Sequence, residues 1–489
     1  MNPIIVADTP ACWPYEIPGI EMVPARNYLT DPRFSSAPRQ RVFNLCRSHR
    51  YQGLGYYVSL LADARGHRAL PSIETIQDMK SPAIVRGASE EISDLIQRSL
   101  RTLQSERFTL SIYFGRNLAK RYDRLCRQLY NQFPAPAIRA DFVKSGGRWV
   151  LQNIGPIPTN EVPPSHHPFL LEQALRFFNG RELRKQRKTP ARFSMAILID
   201  PEEAHPPSDE KALRSFIKAA EAMGFATSLI TREDSGRLAE YDALFIRATT
   251  AVNHFTYRMA RRAKALNMVV LDDPDSIIRC SNKVFLDELL KAHSIPTPKT
   301  LIVHKGNLGE APSLLKLPII LKQPDSSFSQ GVIKAATEQE YLQHAEALLQ
   351  KSDLIIAQEF LYTPFDWRIG ILEGVALYAC KYFMARQHWQ IYNHEQTGEA
   401  SSGDSSTLPV NEVPEFILDA ALKAAALIGD GIYGVDLKEV DGRAVIIEVN
   451  DNPNIDSGIE DDFLKDDLYR ELAGCFLRRL EKQRIHPSP

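Results

Sequence analysis

The stretch Gly434–Pro453 reads GVDLKEVDGRAVIIEVNDNP and decides the fold of the C-terminal part of the chain. Two apolar strand patterns flank an Asp-Gly pair, which favours the tight turn of a β-hairpin. Side chains two residues apart on a strand share a face, so Glu448 and Asn450 project together, and the hairpin brings Asp436 beside them. Two carboxylates and an amide oxygen suit Mg²⁺. The alternative is a polar strand end in solvent, which the apolar flanks disfavour.

A second apolar strand pattern opens the stretch 318–332, PIILKQPDSSFSQGV. Lys322 ends this strand and supplies a point charge for a phosphate, while Ser327 and Gly331 are small enough to let backbone N–H groups approach its oxygens. The Gly-Lys-Ser/Thr order of a Walker loop is absent. Since a surface lysine before a turn explains the same pattern, this stretch alone decides little.

A third strand pattern, LIIAQEFL, ends in Gln358, Glu359 and Phe360. We expect these residues to seat an adenine through backbone hydrogen bonds and apolar contact. Asp366 follows shortly and suits the hydroxyls of a ribose, and Lys381 closes a later strand and would add a second positive charge on phosphate. Each of these residues also has a plain interpretation as the end of a strand.

Length and composition indicate a folded chain of several domains, because 489 residues exceed what one core organises and 44% are hydrophobic. Lys plus Arg number 59 and Asp plus Glu 60, which argues against a nucleic acid as partner. The six cysteines are widely scattered, and neither a secretory signal nor a run of about 18 apolar residues is visible. We therefore expect a cytoplasmic protein without a membrane partner; a homo-oligomer is left open.

Three regions differ in texture. Residues 1–190 are expected to form an N-terminal α+β domain of unknown role. Residues 191–280 alternate strand and helix patterns, including a helix over 211–225, and predict a small α/β domain with a parallel sheet. Residues 281–489 mix hairpins and helices in an α+β texture. No internal repeat is visible.

The order and spacing of these pieces, over about residues 193–480, resemble the ATP-grasp superfamily and more narrowly the RimK-like carboxylate–amine ligases. The N-terminal region resembles the extra domain often fused to such proteins. The motifs that carry the resemblance are Asn282-Lys283 at the start of a helix, IPTP at 295–298, Leu321-Lys322, QEF at 358–360, DWR at 366–368, and the pair of strands from Gly434 to Asn450. The resemblance implies an ATP-grasp fold, in which two α+β lobes clasp ATP.

The resemblance also implies roles for the residues. Lys283, Lys322 and Lys381 would hold the nucleotide and its phosphates, with Glu359 on the adenine side. One or two Mg²⁺, or Mn²⁺, would be held by the carboxylates and the amide of the hairpin. The sequence departs from the relatives in its glycine-poor loop, DSSFSQG, and in the segment 386–407, which leaves the substrate more open than the nucleotide.

The reaction implied is amide-bond formation through an acyl-phosphate, with an amino acid such as L-glutamate added to an amino acid, peptide or protein. Arg368 and Arg386 are the candidates to stabilise the tetrahedral oxyanion. A phosphotransferase and a non-catalytic, ATP-binding regulatory module are the alternatives.

Two further residues are assigned to the substrate. Arg247 follows a strand of the small α/β domain, where ligands of open α/β sheets gather, and its guanidinium matches a carboxylate. A salt bridge between Arg247 and a neighbouring helix explains the residue equally well. Asn452, just after the metal-binding strand, is assigned to the same substrate. The pair His166-His167 lies between prolines and is interpreted as part of a loop rather than as a metal ligand.

Overall fold

A computed structural model describes residues 3–13, 15–37, 40–179, 191–325, 332–384 and 404–485. Two compact units are distinguished. The first comprises the described residues of Met1–Phe193, Glu233–Tyr241 and Leu480–Pro489, and the second those of Ser194–Arg232 and Asp242–Arg479. The expected domain boundaries at 190 and 280 stay a prediction. Within the described ranges, no helix combines the length and apolar character needed to cross a membrane.

The N-terminal residues form a parallel sheet. Its strands are β1 (Pro3–Ala7), β2 (Glu21–Pro24), β3 (Arg41–Asn44) and β4 (Arg68–Leu70), in the order β2-β1-β3-β4. The accompanying helices are α1 (Ala25–Thr30), α2 (Pro32–Ser35), α3 (Leu54–Ala64) and α4 (Ile73–Asp78). Val6 and Val42 of the sheet share one buried cluster with Val58 of α3, so the amphipathic face of α3 covers this side of the sheet.

The rest of this unit centres on an antiparallel sheet. Its strands are β5 (Arg107–Tyr113), β6 (Ala137–Ser145) and β7 (Arg148–Pro156), and its helices are α5 (Pro82–Glu91), α6 (Ser93–Leu100), α7 (Asp123–Gln132) and α8 (His167–Asn179). His166 Nδ1 lies 2.9 Å from the hydroxyl of Tyr113, and His167 Nε2 lies 3.1 Å from the carbonyl oxygen of Val162. Both imidazoles are therefore engaged by the protein's own groups.

A second parallel sheet follows along the chain. Its strands are β8 (Phe193–Leu198), β9 (Phe225–Ile230), β10 (Ala243–Ile246) and β11 (Val269–Leu271), in the order β11-β10-β8-β9. The helices are α9 (Glu210–Ala222), α10 (Phe255–Ala265) and α11 (Pro274–Ser281). This confirms the α/β alternation. The expectation that the helix reaches Phe225 is wrong: Gly224, at φ +91°, turns the chain, and the buried Phe225 opens β9.

The two parallel sheets share one topology, in which the second strand lies on one side of the first and the third and fourth strands lie on the other. Each third strand is followed by an eleven-residue helix, α3 or α10. The residue after the third strand is held alike in both: Leu45 N donates to Val6 O, and Arg247 N donates to Leu198 O, each at 2.8 Å. The two sheets with their helices, called the two copies below, thus share a strand order and this backbone contact, a similarity that their residue types do not show.

Two antiparallel sheets complete the second unit. The first contains β12 (Thr300–Val303), β13 (Ile319–Lys322), β14 (Val332–Ala335) and β15 (Ile355–Glu359), in the order β12-β15-β13-β14; the second contains β16 (Phe365–Leu372), β17 (Val375–Phe383), β18 (Ser405–Leu408), β19 (Ile432–Val440) and β20 (Arg443–Asp451), in the order β18-β17-β16-β19-β20. The helices are α12 (Lys283–Ala292), α13 (Ala311–Leu314), α14 (Glu338–Leu349), α15 (Glu415–Ile428) and α16 (Asp466–Ile485).

The predicted hairpins are confirmed. In the Asp441-Gly442 turn between β19 and β20 the φ angles are +50° and +70°, the left-handed values that a two-residue hairpin of this kind needs. One side of the larger sheet is buried: Trp367 and Val435 pack with Ile417 of α15. The other side of this sheet carries the polar residues described next.

Candidate nucleotide and metal site

Strand register places the predicted metal ligands on one face of the larger antiparallel sheet. Asp436 pairs across strands with Arg368 on one side and with Glu448 on the other, and Gly434 pairs with Asn450. Directly opposed residues of neighbouring strands point to the same face. A bulge between Asp436 and Leu437 sets this register. The structure therefore brings Asp436, Glu448 and Asn450 together, as the hairpin pattern predicts.

Asp436 is held by a two-pronged ion pair. Arg368 donates from Nε to Asp436 Oδ1 at 2.6 Å and from Nη2 to Oδ2 at 2.7 Å, and Asn450 Nδ2 donates to Oδ2 at 3.1 Å. Burial raises the pKa of Asp436, and the guanidinium of Arg368 opposes that shift. The charge of this carboxylate therefore depends on its arginine.

Glu448 and two lysines form the second half of the cluster. Lys283 Nζ lies 2.9 Å from Glu448 Oε1. Burial alone would raise the pKa of Glu448, but Lys283 and Lys322 outweigh it and hold the pKa below its usual value. Burial, reinforced by the charges of Lys283 and Lys438 and opposed by Glu448, lowers the pKa of Lys322 to about 8. Burial thus brings the pKa of the Lys322 ammonium group close to neutral pH.

A cavity that is partly open to solvent adjoins this cluster. Its lining is formed by α12, β13, β15 and β20, with apolar walls and polar groups, among them two lysines: Lys283, Leu286, Asp287, Leu290, Thr297, Thr300, Lys322, Ile356, Gln358, Ile446 and Ile447. Apolar walls with a few convergent polar groups are typical of small-molecule sites. The combination suits a flat aromatic base attached to phosphates.

The residues expected around an adenine divide into two settings. Gln358 lines the cavity, where its Nε2 donates to Thr300 Oγ1 at 3.0 Å. The Glu359 carboxylate accepts from the backbone N–H of Lys299 at 2.6 Å, and the Phe360 ring centroid lies 3.9 Å from Lys334 Nζ. Gln358 is therefore the member of this segment whose side chain faces the cavity.

Asp366 is engaged within the protein. Its Oδ1 accepts from Thr363 Oγ1 at 2.9 Å and forms an ion pair with Lys438. Lys438 also donates to Thr363 Oγ1 at 2.8 Å. Sequence reasoning missed Lys438, although its position two residues after Asp436 on an apolar strand was a usable signal. The expected ribose contact of Asp366 stays a prediction, and it requires these bonds to be exchanged.

Lys381 is not brought to Lys322. In the register of β16 and β17 it pairs with Trp367, on the face opposite to Arg368. Its Nζ lies 4.7 Å from the ring centroids of both Phe365 and Trp367, so two aromatic faces hold the ammonium group.

Arg247 and Asn452 contact each other. Arg247 is 1% exposed; its Nε donates to Ser208 Oγ at 3.0 Å, its Nη1 to Asn452 Oδ1 at 2.7 Å, and its Nη2 to Pro453 O at 3.0 Å and also to Pro207 O. Asn452 Nδ2 donates to Ala248 O at 2.8 Å. Four of the five N–H groups of the guanidinium are thereby used inside the protein. The structure gives Arg247 the setting of a structural tie and does not bring it to the metal ligands.

Three predicted residues, Ser327, Gly331 and Arg386, lie outside the described residues.

Glu460 is a buried acid near Arg368 that sequence reasoning missed. Tyr382 donates to Glu460, and the guanidinium of Arg368 lies 5.2 Å from the Tyr382 ring centroid. Burial raises the pKa of Glu460 to about 7.

Comparison with known proteins adds a family context. A model of the RimK-like ATPgrasp N-terminal domain matches residues 25–173. The chain is 31% identical over 191 residues to the alpha-aminoadipate–LysW ligase LysX of Saccharolobus solfataricus, covering 38% of this chain and 66% of that relative, just under two thirds of its length. It is 25% identical over 252 residues to the probable alpha-L-glutamate ligase of Aeromonas salmonicida, covering 50% and 78%. A D-alanine–D-alanine ligase of Bacillus anthracis aligns with a TM-score of 0.48 at 14% identity, covering 60% of this chain and 100% of that one.

Proposed function

We propose that this chain is a RimK-like ATP-grasp protein and acts as an ATP-dependent ligase that joins a carboxylate to an amine. One observation carries the proposal: Asp436, Glu448 and Asn450 share a face, and Lys283 and Lys322 lie beside them at a cavity. Hard oxygen ligands suit Mg²⁺, and ammonium groups suit phosphate. The names of both curated relatives, which are amino-acid ligases, support the same conclusion.

The donor set fits magnesium. No group of three or more His, Cys, Asp or Glu that could hold a metal occurs within the described part of the chain. The proposed site therefore consists of two carboxylates and the amide oxygen of Asn450, completed by phosphate oxygens and water. When bound there, Mg²⁺ supplies positive charge to the phosphate oxygens of ATP.

The ion pairs suggest how the protein's own residues act. Asp436 and Glu448 are each paired with a cation, and on ligating a metal each carboxylate would share or exchange that partner. Arg368, released from Asp436, can then donate to the oxyanion that forms when an amine attacks the acyl-phosphate. Lys322, protonated below about pH 8, holds a phosphate oxygen in the buried end of the cavity.

We further propose an acidic amino acid such as L-glutamate as one substrate. The name of one curated relative refers to alpha-aminoadipate and that of the other to L-glutamate. The local support expected from Arg247 is weak, because that guanidinium is buried among protein acceptors. We therefore expect Arg368 to be the described arginine that meets a substrate group.

The test uses a substrate whose carboxylate is labelled with ¹⁸O. A ligase with an acyl-phosphate intermediate transfers one ¹⁸O from a labelled substrate carboxylate to the phosphate it releases, and it releases phosphate only when a carboxylate and an amine are both present. Asp436→Asn and Glu448→Gln are each expected to reduce this activity by orders of magnitude. Asp441→Asn, in the exposed turn of the same hairpin, is the matched control and is expected to retain it.

Three outcomes would contradict the proposal or a part of it. Transfer of the γ-phosphate to a substrate hydroxyl, with no ¹⁸O from the carboxylate in the released phosphate, would identify a phosphotransferase. Nucleotide binding without turnover over a panel of amino-acid pairs would identify a regulatory module. If both carboxylate variants keep the parent rate at saturating Mg²⁺, the metal assignment is wrong.

A further inference from the structure

The shared strand order directs attention to one edge of the N-terminal parallel sheet. In the order β2-β1-β3-β4 the chain leaves β1 towards one side and β3 towards the other, so the carboxyl ends of β1 and β3 border a topological switch point. Ligands of open α/β sheets bind in the crevice at this point. The chain segments that border it are residues 8–13 and 45–53.

The two copies treat this edge differently. In the second copy, Arg247 follows the third strand, and residues 452–453 of the same unit cover it. In the first copy the corresponding segment is open: Arg47, Ser48 and Arg50 are exposed, and Tyr51 is 67% exposed. The N-terminal copy thus leaves its switch point accessible within its own unit.

An acidic side chain at this edge has a structural role in both copies. Asp8 Oδ2 accepts from the backbone N–H of Arg47 at 2.5 Å. In the second copy, Glu203 Oε2 accepts from the backbone N–H of Thr249, the equivalent residue, at 3.2 Å. The Asp8 carboxylate is therefore accounted for by the fold, although its charge remains part of the edge.

Helix α3 begins at this edge and supplies donors. Its N-cap is Gly53, and no side chain among the described residues caps it. The first N–H groups of an α-helix lack partners within the helix, and its N-terminus attracts negative charge. In α3, Gly55 N already donates to Ser48 O at 3.2 Å, so the first-turn donors offered to a ligand are the N–H groups of Leu54 and Tyr56. Arg50 adds a cation, and it forms no ion pair with the carboxylates of the described chain.

One buried ring nitrogen at this edge, His49 Nε2, has no hydrogen-bond partner within the described residues. A Cβ on Gly55 would lie 3.1 Å from His49 Cδ2, so the Nε2 edge of the imidazole lies at the first turn of α3. Burial lowers the pKa of His49 to about 4, while its ring bonds to the backbone of Asn44. His49 is therefore neutral, and its Nε2 is a hydrogen-bond acceptor.

We propose that the carboxyl ends of β1 and β3 form a binding site for a small oxyanion that carries its own hydrogen-bond donor. An amino acid and a phosphate monoanion share this chemistry. The oxyanion would meet the N-terminus of α3 and the guanidinium of Arg50, and the donor would meet His49 Nε2. All of the residues named for this site belong to the first unit, so the site would give the N-terminal domain a ligand of its own.

The experiment is titration calorimetry on the full chain saturated with MgADP, so that the nucleotide site is filled. Inorganic phosphate and L-glutamate are titrated in separate arms. We expect one of them to bind, and Arg50→Gln to weaken that binding by roughly tenfold or more, as expected for a charge-assisted contact. Arg107→Gln, an exposed arginine on β5, is the matched control and should bind like the parent.

A second variant protects against a misfolded protein. His49→Phe keeps a ring of similar shape and removes both the Nε2 acceptor and the hydrogen bond of the ring to the backbone of Asn44, so it should also weaken binding while MgADP affinity stays unchanged in both variants. The arm that responds identifies the source of the oxyanion. The proposal is overturned if neither probe binds at concentrations up to about 10 mM, or if binding is insensitive to Arg50→Gln.

Discussion

Replacing Arg368 by Met should destabilise the larger antiparallel sheet in a way that grows with pH. Arg368 holds Asp436 by two hydrogen bonds of 2.6 and 2.7 Å, with side chains 16% and 17% exposed. Removing one member of such a buried pair costs about 3–5 kcal/mol. The carboxyl can instead take up a proton, which at pH 7 costs roughly 1.4 kcal/mol for each pH unit above its ordinary pKa near 4, about 4 kcal/mol in all. The cost of leaving the carboxylate charged and unpaired and the cost of protonating it are therefore similar, and each sets an upper limit on the loss of stability.

The pH dependence distinguishes a charge effect from lost packing. Burial already raises the pKa of Asp436, so the folded state binds this proton more strongly than the unfolded state, and its contribution to stability falls as pH rises. Without Arg368 this fall should steepen. The free energy of opening, measured by hydrogen exchange at the amides of β19 in parent and variant, should differ least near pH 5 and most near pH 8.

A double variant completes this cycle. Adding Asp436→Asn to Arg368→Met removes the unpaired charge. The double variant should therefore recover most of the stability that Arg368→Met alone loses. If the loss is the same at pH 5 and pH 8, or if the double variant is as unstable as Arg368→Met alone, the stabilisation comes from packing and the electrostatic reasoning is wrong.

Four further results are expected. Lys322→Ala should weaken ADP binding by about 1.5–3 kcal/mol in calorimetry, whereas Lys381→Ala, whose ammonium lies over two aromatic rings, should weaken it less; equal losses would contradict the assigned faces. ADP affinity of the parent should fall as pH rises through about 8, where Lys322 loses its proton, and Lys322→Ala should lack this dependence. Gly370→Ala should lower the free energy of unfolding by about 1–3 kcal/mol in urea titration, because the new Cβ would lie 2.2 Å from the buried Tyr378 ring. Burial raises the pKa of Asp272 to about 8, so stability should fall as pH rises from about 4 towards 8, and Asp272→Asn should flatten that slope.

The metal face could be predicted because it depends on a period of two within one hairpin. Even there a bulge was needed: Val440 pairs with Arg443, and an unbroken register would place Asp436 opposite Ile447 rather than Glu448. The sequence does not show this bulge, and the prediction succeeded because the fold contains it.

The same effect explains what could not be predicted about Lys381. From the turn, where Leu372 pairs with Val375, an unbroken register would pair Lys381 with Asp366, on the face of Arg368. The bulge between Gly370 and Ile371 shifts the pairing by one residue, and Lys381 points to the other face. A single inserted residue thus decides which side of the sheet a charge occupies.

Contacts between distant parts of the chain also could not be predicted from the sequence. The carbonyl and amide partners of Arg247 lie about 40 and 205 positions away, so no local pattern distinguishes a tie from a substrate contact. The similarity of the two copies was hidden for a related reason. Leu45 and Arg247 occupy equivalent backbone positions and share no side-chain chemistry.

The tie formed by Arg247 also has a kinetic consequence. One guanidinium donates hydrogen bonds to Ser208, Asn452 and Pro453. Beside these bonds, Ile455 N donates to Pro207 O at 2.9 Å. Because three of these bonds start from one guanidinium, a displacement of that side chain would release them together. The amides of Asn452 and Ile455 should therefore exchange with solvent in one cooperative opening, with equal opening free energies.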